Sequence, residues 1–324
     1  MHDPQSLVQS RLPHLSSGML GAQGYVLGLD IGSYGLRAAL IGLHDNSYAS
    51  AHRDPSSATA DGWVAEALDL ARGLLDAYGV SSDRLVRVGA GFAGPVDARR
   101  GIVLLSPRMS GWERFPLAEH VQAAFGAVTL VDNDANLIAL AEATFGVAHQ
   151  LQHLVYVHLS SGVGGGLVLD GRLYHGATTT AGEIGHAVVG PVDPVWSREK
   201  PGTLEQHVSI SGLLRRAADL GLHTTRLEDI FGEHPIARQV VAEAVDLLGV
   251  RLSQIVALLD PQAIVLGGIV VRSGGDAFIE AVAQRTHSYL RPPIERSVPV
   301  YAAILGAESV AIGGAALALE SMRE

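Results

Sequence analysis

Two segments of this chain can be laid over one another without a gap: VLGLDIGSYGLRAAL at 26–40 and VYVHLSSGVGGGLVL at 155–169. Each reads as an apolar strand, a glycine turn and a second apolar strand. A repeat with a spacing of about 130 residues argues for two similarly folded halves. The 324 residues of the chain leave room for both, each of ordinary domain size.

The segments after each repeat alternate between strand and helix patterns, as an α/β protein requires. In the first half a hairpin is expected over 25–43, with its turn at Gly32-Ser33-Tyr34-Gly35, and a third strand over 47–53. A helix is predicted over 62–78, from the spacing of Val64, Ala67, Leu68, Ala71, Leu74 and Leu75. Strands over 85–92 and 128–131 and helices over 117–125 and 135–145 complete that half. The second half reads as a strand over 154–159, a glycine-rich turn over 160–166 and a strand over 167–169. Helices follow over 209–218 and 237–259, then a strand over 263–266, a Gly267-Gly268 turn and a helix over 278–285. A strand over 298–303 and a closing helix over 308–319 end the chain. Residues 1–24 are polar and weakly patterned, and read as an arm or linker. The expected division is therefore an N-terminal lobe over 25–133, with the last helix (305–324) packed on it, and a C-terminal lobe over 134–304. A ligand cleft with two phosphate-facing turns is expected between the lobes.

Composition narrows the classes of function. Hydrophobic residues make up 48% of the chain, so a large core can form. No apolar run approaches the roughly 20 residues that span a bilayer, so no membrane partner is expected. Residues 1–23 lack the basic-flanked apolar core of a signal peptide. Cysteine is absent, which removes disulfides and cysteine metal sites and fits a cytoplasmic protein. The formal net charge of −10 gives the surface as a whole no attraction for nucleic acid.

Chemistry concentrates in two places. The first runs from Ser160 to His186. The turn at 160–166 carries so little side chain that backbone N–H groups can approach an anion closely. Glu183 and His186, three residues apart, can hydrogen-bond a polyhydroxylated ligand. The alternative is a tight hairpin whose glycines serve packing alone. The second place is Val131-Asp132-Asn133-Asp134-Ala135-Asn136, where a buried strand meets a helix; strand ends in α/β sheets are where ligands bind. Asp134 is either the N-cap of that helix or a general base taking a proton from a sugar hydroxyl, and Asn133 would hold another hydroxyl.

In order and spacing, LGLDIG (27–32), GFAGPVD (91–97), VDNDAN (131–136), SSGVGGG (160–166), GEIGH (182–186) and IVLGG (264–268) resemble the ROK family of repressors, open reading frames and kinases. The resemblance covers about residues 25–320. It implies a duplicated actin-like (ribonuclease H-like) fold of two α/β lobes. It makes Asp134 the catalytic base and places Asn133, Glu183, His186 and Glu205 on the sugar. Asp30, Gly32, Ser161, Gly162 and Gly164 would face the phosphates of Mg-ATP, and Gly267 and Gly268 the adenosine. The family tendency makes a homodimer the expected assembly.

The chain also departs from the family pattern. Kinases of the family usually read DIGGTK at the first turn, where this chain has Asp30-Ile31-Gly32-Ser33-Tyr34-Gly35. A threonine hydroxyl has become a phenol, and a lysine has become glycine. The second turn usually reads GTG and here reads Ser160-Ser161-Gly162. The usual PNL is Pro107-Arg108-Met109. The family zinc loop, CxCGxxGCxE, corresponds to Val195–Glu205, in which Glu205 survives and all three cysteines are gone. A structural zinc takes four ligands, so none is expected here. The remaining histidines, His149, His153, His158, His175 and His207, are expected to be surface or core residues.

These departures favour a sugar-binding sensor, similar to the effector domain of a ROK repressor without its DNA-binding module. DNA would be a partner only if a missing N-terminal module belongs to the native protein. The alternative is an ATP-dependent sugar kinase of the glucokinase or hexokinase type, with Mg-ATP as cosubstrate. A structural protein on an actin-like fold is a third reading, and it would leave the polar sugar contacts without a purpose.

Overall fold

The computed structural model describes residues 3–16, 24–32, 35–106, 109–189, 202–290 and 297–322. In chain order the elements are α1 (Pro4–Ser16), β1 (Tyr25–Gly32), β2 (Gly35–Gly42), β3 (Tyr48–Arg53), α2 (Ala60–Ala77), β4 (Leu85–Phe92), β5 (Val96–Asp97), β6 (Ile102–Val103), α3 (Leu117–Phe125), β7 (Val128–Asn133) and α4 (Asp134–Thr144). They continue with β8 (Leu154–Leu159), β9 (Val163–Leu169), β10 (Arg172–Leu173), α5 (Leu204–Val208), α6 (Ile210–Asp219), α7 (Leu227–Ile230), α8 (Pro235–Leu259), β11 (Ala263–Gly267), α9 (Ile269–Tyr289), β12 (Val300–Ala302) and α10 (Ser309–Glu320). The chain separates into two units, one of residues 1–150, 168–181 and 304–324, the other of residues 151–167 and 182–303.

The first unit holds a five-stranded sheet of order β3-β2-β1-β4-β7. β2 runs antiparallel to β1 and β3, while β1, β4 and β7 are mutually parallel. On one face lies α2. Its helical spacing buries Val64, Ala67, Ala71, Leu74 and Leu75, and the Thr59 side chain caps it by accepting the Gly62 N–H at 3.1 Å. α10 packs on β1, β4 and α4. That helix is apolar along almost its whole length and is nearly all buried, so it belongs to the core of the unit. Its approach is so close that a Cβ at Gly28 would lie 1.8 Å from the Ala311 carbonyl oxygen, and one at Gly89 would lie 2.0 Å from that of Gly314. Gly28, the first glycine of LGLDIG, therefore serves helix packing. Glu142 on α4 is fully buried and accepts the backbone N–H groups of Val147 (2.9 Å), Ile304 (2.8 Å) and Leu305 (3.0 Å). It ties α4 to the segment that leads into α10.

Two expectations need correction here. Residues 4–16, read as arm or linker, form α1. Val8 and Leu12 are buried, and Arg11 donates to the carbonyl oxygens of Phe145 and Gly146 beyond the end of α4. Leu7, Val8, Leu12 and Leu15 do fall at helical spacing, but Pro13 among them reads as a helix breaker and masks the pattern. The unit also extends past residue 133, because α4 packs against α10 in the same core.

The second sheet has the order β10-β9-β8-β11-β12, with β8, β11 and β12 mutually parallel. In both sheets the first strand to enter sits third. The strands that follow it fan to one edge and the two later strands to the other. β9 starts at Val163, so the glycine-rich turn is shorter than the sequence suggests and covers 160–162. Gly164, Gly165 and Gly166 are strand residues. A Cβ at Gly165 would stand 2.8 Å from the Gly182 carbonyl oxygen, so this glycine allows another backbone to lie against the strand. α9 begins at Ile269, well before the expected helix, and its φ/ψ are helical except at Gly275. That break hides the first part of the helix from a periodicity argument.

Candidate functional site

In the first unit the carboxyl ends of β1, β4 and β7 lie side by side. Asp30 is in register with Gly91, and Gly91 with Asp132. Asp30 is only 5% exposed. A Cβ at Gly32 would come within 2.5 Å of its Oδ1, so Gly32 makes room for the carboxylate. Arg37 faces Asp30 across the β1–β2 pair and brings Nη1 to 3.4 Å from Oδ2. Burial pushes the Asp30 carboxyl up to about 7; the Arg37 guanidinium opposes the rise, and the Asp134 carboxylate adds to it. Ionising a desolvated acid beside a second carboxylate is costly, which is why Asp30 needs a cation.

β7 passes directly into α4 at Asn133-Asp134. The N-cap is Asn133 rather than Asp134. Its Oδ1 accepts the Ala135 N–H at 2.9 Å, and its Nδ2 donates to the Gly94 carbonyl oxygen at 2.9 Å. Asp134 is the first helical residue, and its Oδ1 shares the same Ala135 N–H at 2.9 Å. Sequence reasoning passed over Asp132 and set His175 aside as a surface or core residue. Asp132 Oδ1 accepts the Asn133 N–H (2.7 Å) and the Asn136 side-chain amide (2.9 Å), and His175 Nε2 lies 2.5 Å from Oδ2. An acid next to the Asn133-Asp134 pair was the signal available for Asp132. Nothing local marked His175, which is 43 residues away.

In the second unit the Ser160–Gly162 turn has part of its hydrogen bonding met internally. The Ser160 N–H donates to the Gly162 carbonyl oxygen at 2.9 Å. The Val163 N–H donates to Glu205 Oε2 at 2.9 Å, and a Cβ at Gly162 would lie 3.1 Å from that same oxygen. Glu205, in the first turn of α5, therefore braces the turn that follows β8. Gly268 is the N-cap of α9 at φ +95°, and its backbone crosses so near Leu159 that a Cβ would stand 2.1 Å from the carbonyl oxygen. This crossing brings Gly267-Gly268 beside the 160–162 turn. At Gly267 a Cβ would collide with the Tyr156 hydroxyl, 2.4 Å away. Tyr156 in turn bonds His158 Nδ1 at 2.7 Å, and burial holds the His158 imidazole down to about 4, helped by the Arg272 charge. Glu183 and His186 flank a short 3-10 turn, with Glu183 Oε2 and His186 Nε2 3.7 Å apart and both side chains exposed. The turn docks on β9 through Gly185, where a Cβ would lie 2.1 Å from the Val163 carbonyl oxygen.

Within the first unit the structure thus gathers Asp30, Gly32, Asn133 and Asp134. Within the second it gathers Ser161, Gly162, Glu205, Gly267 and Gly268, while Gly164 sits in β9, and Glu183 and His186 pair with one another. Ser33, Tyr34, Pro107 and Arg108, and the 195–201 part of the expected zinc-loop segment, lie outside the described residues. Among the described residues no three His, Asp or Glu side chains are grouped to hold a metal ion, and no helix is long and apolar enough to cross a membrane.

Two α/β sheets of like strand order define a two-sheet α/β fold of the kind found in sugar kinases. The ROK family profile matches residues 26–321, and the chain belongs to the ROK family. A glucokinase from Streptomyces coelicolor is 29% identical over 322 residues, covering 92% of this chain and 98% of the glucokinase. The crystal structure of a ROK hexokinase from Thermus thermophilus superposes with a TM-score of 0.82 at 28% identity, covering 92% of this chain and 99% of the hexokinase. A xylose repressor from Caldicellulosiruptor bescii is 27% identical over 217 residues, which is 62% of this chain and 54% of the repressor.

Proposed function

We propose that the chain is an ATP-dependent sugar kinase in which Asp134 removes the proton from the accepting hydroxyl. The observation that carries this reading is the junction of β7 and α4. Asn133 holds the cap and shares the Ala135 N–H with Asp134, whose carboxylate stands in the first turn of α4, at a strand end beside the buried Asp30. The near full-length likeness to a glucokinase and a hexokinase supports it, whereas the repressor is matched over about half its length.

In this reaction the hydroxyl oxygen attacks the γ-phosphorus and forms a new P–O bond. The bond from that phosphorus to the β–γ bridging oxygen breaks, ADP leaves, and the hydroxyl proton passes to Asp134. General-base help of this kind is worth about 10²–10⁴-fold; the rest is positioning and charge neutralisation. The carboxylate oxygens of Asp30 are hard donors of the kind Mg²⁺ takes and would hold the ion of Mg-ATP, which would supply neutralisation of phosphate charge. Asn133 keeps one amide hydrogen and one lone pair for a sugar hydroxyl after its two internal bonds. Glu183, His186 and Glu205 are assigned to further hydroxyls, and the Ser161-Gly162 and Gly267-Gly268 backbones to the nucleotide. The like strand order of the two sheets supports reading the fold as a duplicated actin-like (ribonuclease H-like) one.

The sensor reading keeps one specific support. Gly35 stands where the resembled kinases have lysine, and its φ is +111°, a backbone that lysine does not readily adopt. ADP release from Mg-ATP across a panel of hexoses, amino sugars and pentoses decides between the two. Sugar-dependent turnover establishes the kinase and names its substrate. Thermal stabilisation by one sugar with no turnover overturns the kinase in favour of the sensor.

A further inference from the structure

We propose that Arg37 supplies, at the first phosphate turn, the positive charge that the resembled kinases carry at the position of Gly35. The inference rests on the kinase reading only in placing nucleotide phosphates at this turn.

The backbone comes first. At φ +111° residue 35 is closed to a long side chain without strain, so this turn cannot present a cation from that position. Residues 35 and 37 are both in β2, and side chains two apart on a strand point to the same face. A cation moved from 35 to 37 therefore stays on the same side of the sheet. The geometry bears this out: a Cβ built at Gly35 would lie 3.6 Å from Arg37 Nη1. The guanidinium thus stands where a side chain at 35 would begin.

What holds Arg37 there is Asp30, whose Oδ2 is 3.4 Å from Nη1. Formed charge-assisted bonds run to about 2.7–2.9 Å, so this contact orients the guanidinium without saturating it. A guanidinium has five donors in a planar fork that suits phosphate oxygens. The Arg37 side chain is 18% exposed, against 7% for Asp30, so the carboxylate is the buried partner and the cation the more open one. Arg37 was absent from the sequence-derived site because the family pattern directs attention to position 35.

The test is calorimetric titration of the full chain with Mg-ATP and, separately, with the sugar that gives the largest thermal stabilisation, alongside ADP release. Arg37→Ala and Arg37→Gln should each weaken Mg-ATP binding about 10- to 100-fold, the loss of a hydrogen bond to a charged group. Sugar affinity should stay within about twofold, and Arg37→Lys should restore part of the nucleotide affinity. Arg37→Gln retains a donor for Asp30, so it remains informative if Arg37→Ala does not fold. Unchanged Mg-ATP affinity in Arg37→Gln overturns the proposal, as does a wild-type chain that binds no Mg-ATP. Arg37-dependent Mg-ATP binding without sugar-dependent ADP release leaves this proposal standing and removes the kinase reading instead.

Discussion

His175 Nε2 lies 2.5 Å from Asp132 Oδ2, joining the segment after β10 to the end of β7. The other oxygen of Asp132 holds the Asn133 N–H and the Asn136 amide. One buried carboxylate thereby fixes the backbone immediately ahead of Asp134. The bond to Asp132 raises the His175 imidazole above its ordinary value against the pull of burial; Glu320 adds to the rise and Arg99 opposes it. A base with a raised folded pKa contributes stability that is complete below its unfolded value, about 6.5, and is lost as pH climbs through the folded value. Thermal unfolding of wild type and His175→Ala between pH 5 and pH 9 should therefore show the widest gap at the acid end. A gap independent of pH would contradict a charged pair.

Asp30 gives a second pH dependence. Its folded pKa is raised to about 7, chiefly by burial. The folded chain thus holds a proton that the unfolded chain releases near pH 4, and its stability falls as pH rises from about 4 to about 7. Asp30→Asn removes that loss. The variant should gain on wild type across this window in thermal unfolding, and lose Mg-ATP affinity if the nucleotide reading holds. A stability difference that is flat from pH 4 to pH 8 would show that Asp30 does not titrate in this range.

Glu142 should be among the costliest single residues to remove. Three backbone N–H groups, those of Val147, Ile304 and Leu305, lose their acceptor in Glu142→Ala; the buried Leu305 donor alone costs about 1–3 kcal/mol, and the two half-buried donors add to it. Urea unfolding should show a loss of about 2 kcal/mol or more. Under about 1 kcal/mol would mean that the segment ahead of α10 finds other acceptors.

The fold was legible in the sequence wherever a local pattern carried it. Leu85–Phe92, Leu117–Phe125 and Leu154–Leu159 fall on their expected bounds, because each is an apolar run or stripe between turn residues. The repeat of 26–40 and 155–169 announced two sheets. Features set by distant partners stayed hidden. The glycines at 164–166 read as a turn, yet they are strand residues, and Gly165 admits the backbone of Gly182. The glycines at 28 and 267 read as motif and nucleotide positions, yet they answer to Ala311 and to Tyr156. In the site, Asn133 and Asp134 were expected from their place at a strand end, and Asp30 from the family resemblance. Arg37 and His175 were not, since each makes a contact, with Asp30 and with Asp132, that only the fold creates.

The central claim is the role of Asp134, and Asp134→Asn tests it most directly. Sugar-dependent ADP release and sugar affinity would be measured on the same preparation of variant and wild type. The account predicts a fall in kcat of about 10²–10⁴-fold, with sugar affinity changed by no more than a few fold. Undiminished turnover in Asp134→Asn would remove Asp134 as the base and, with it, the mechanism proposed for this chain.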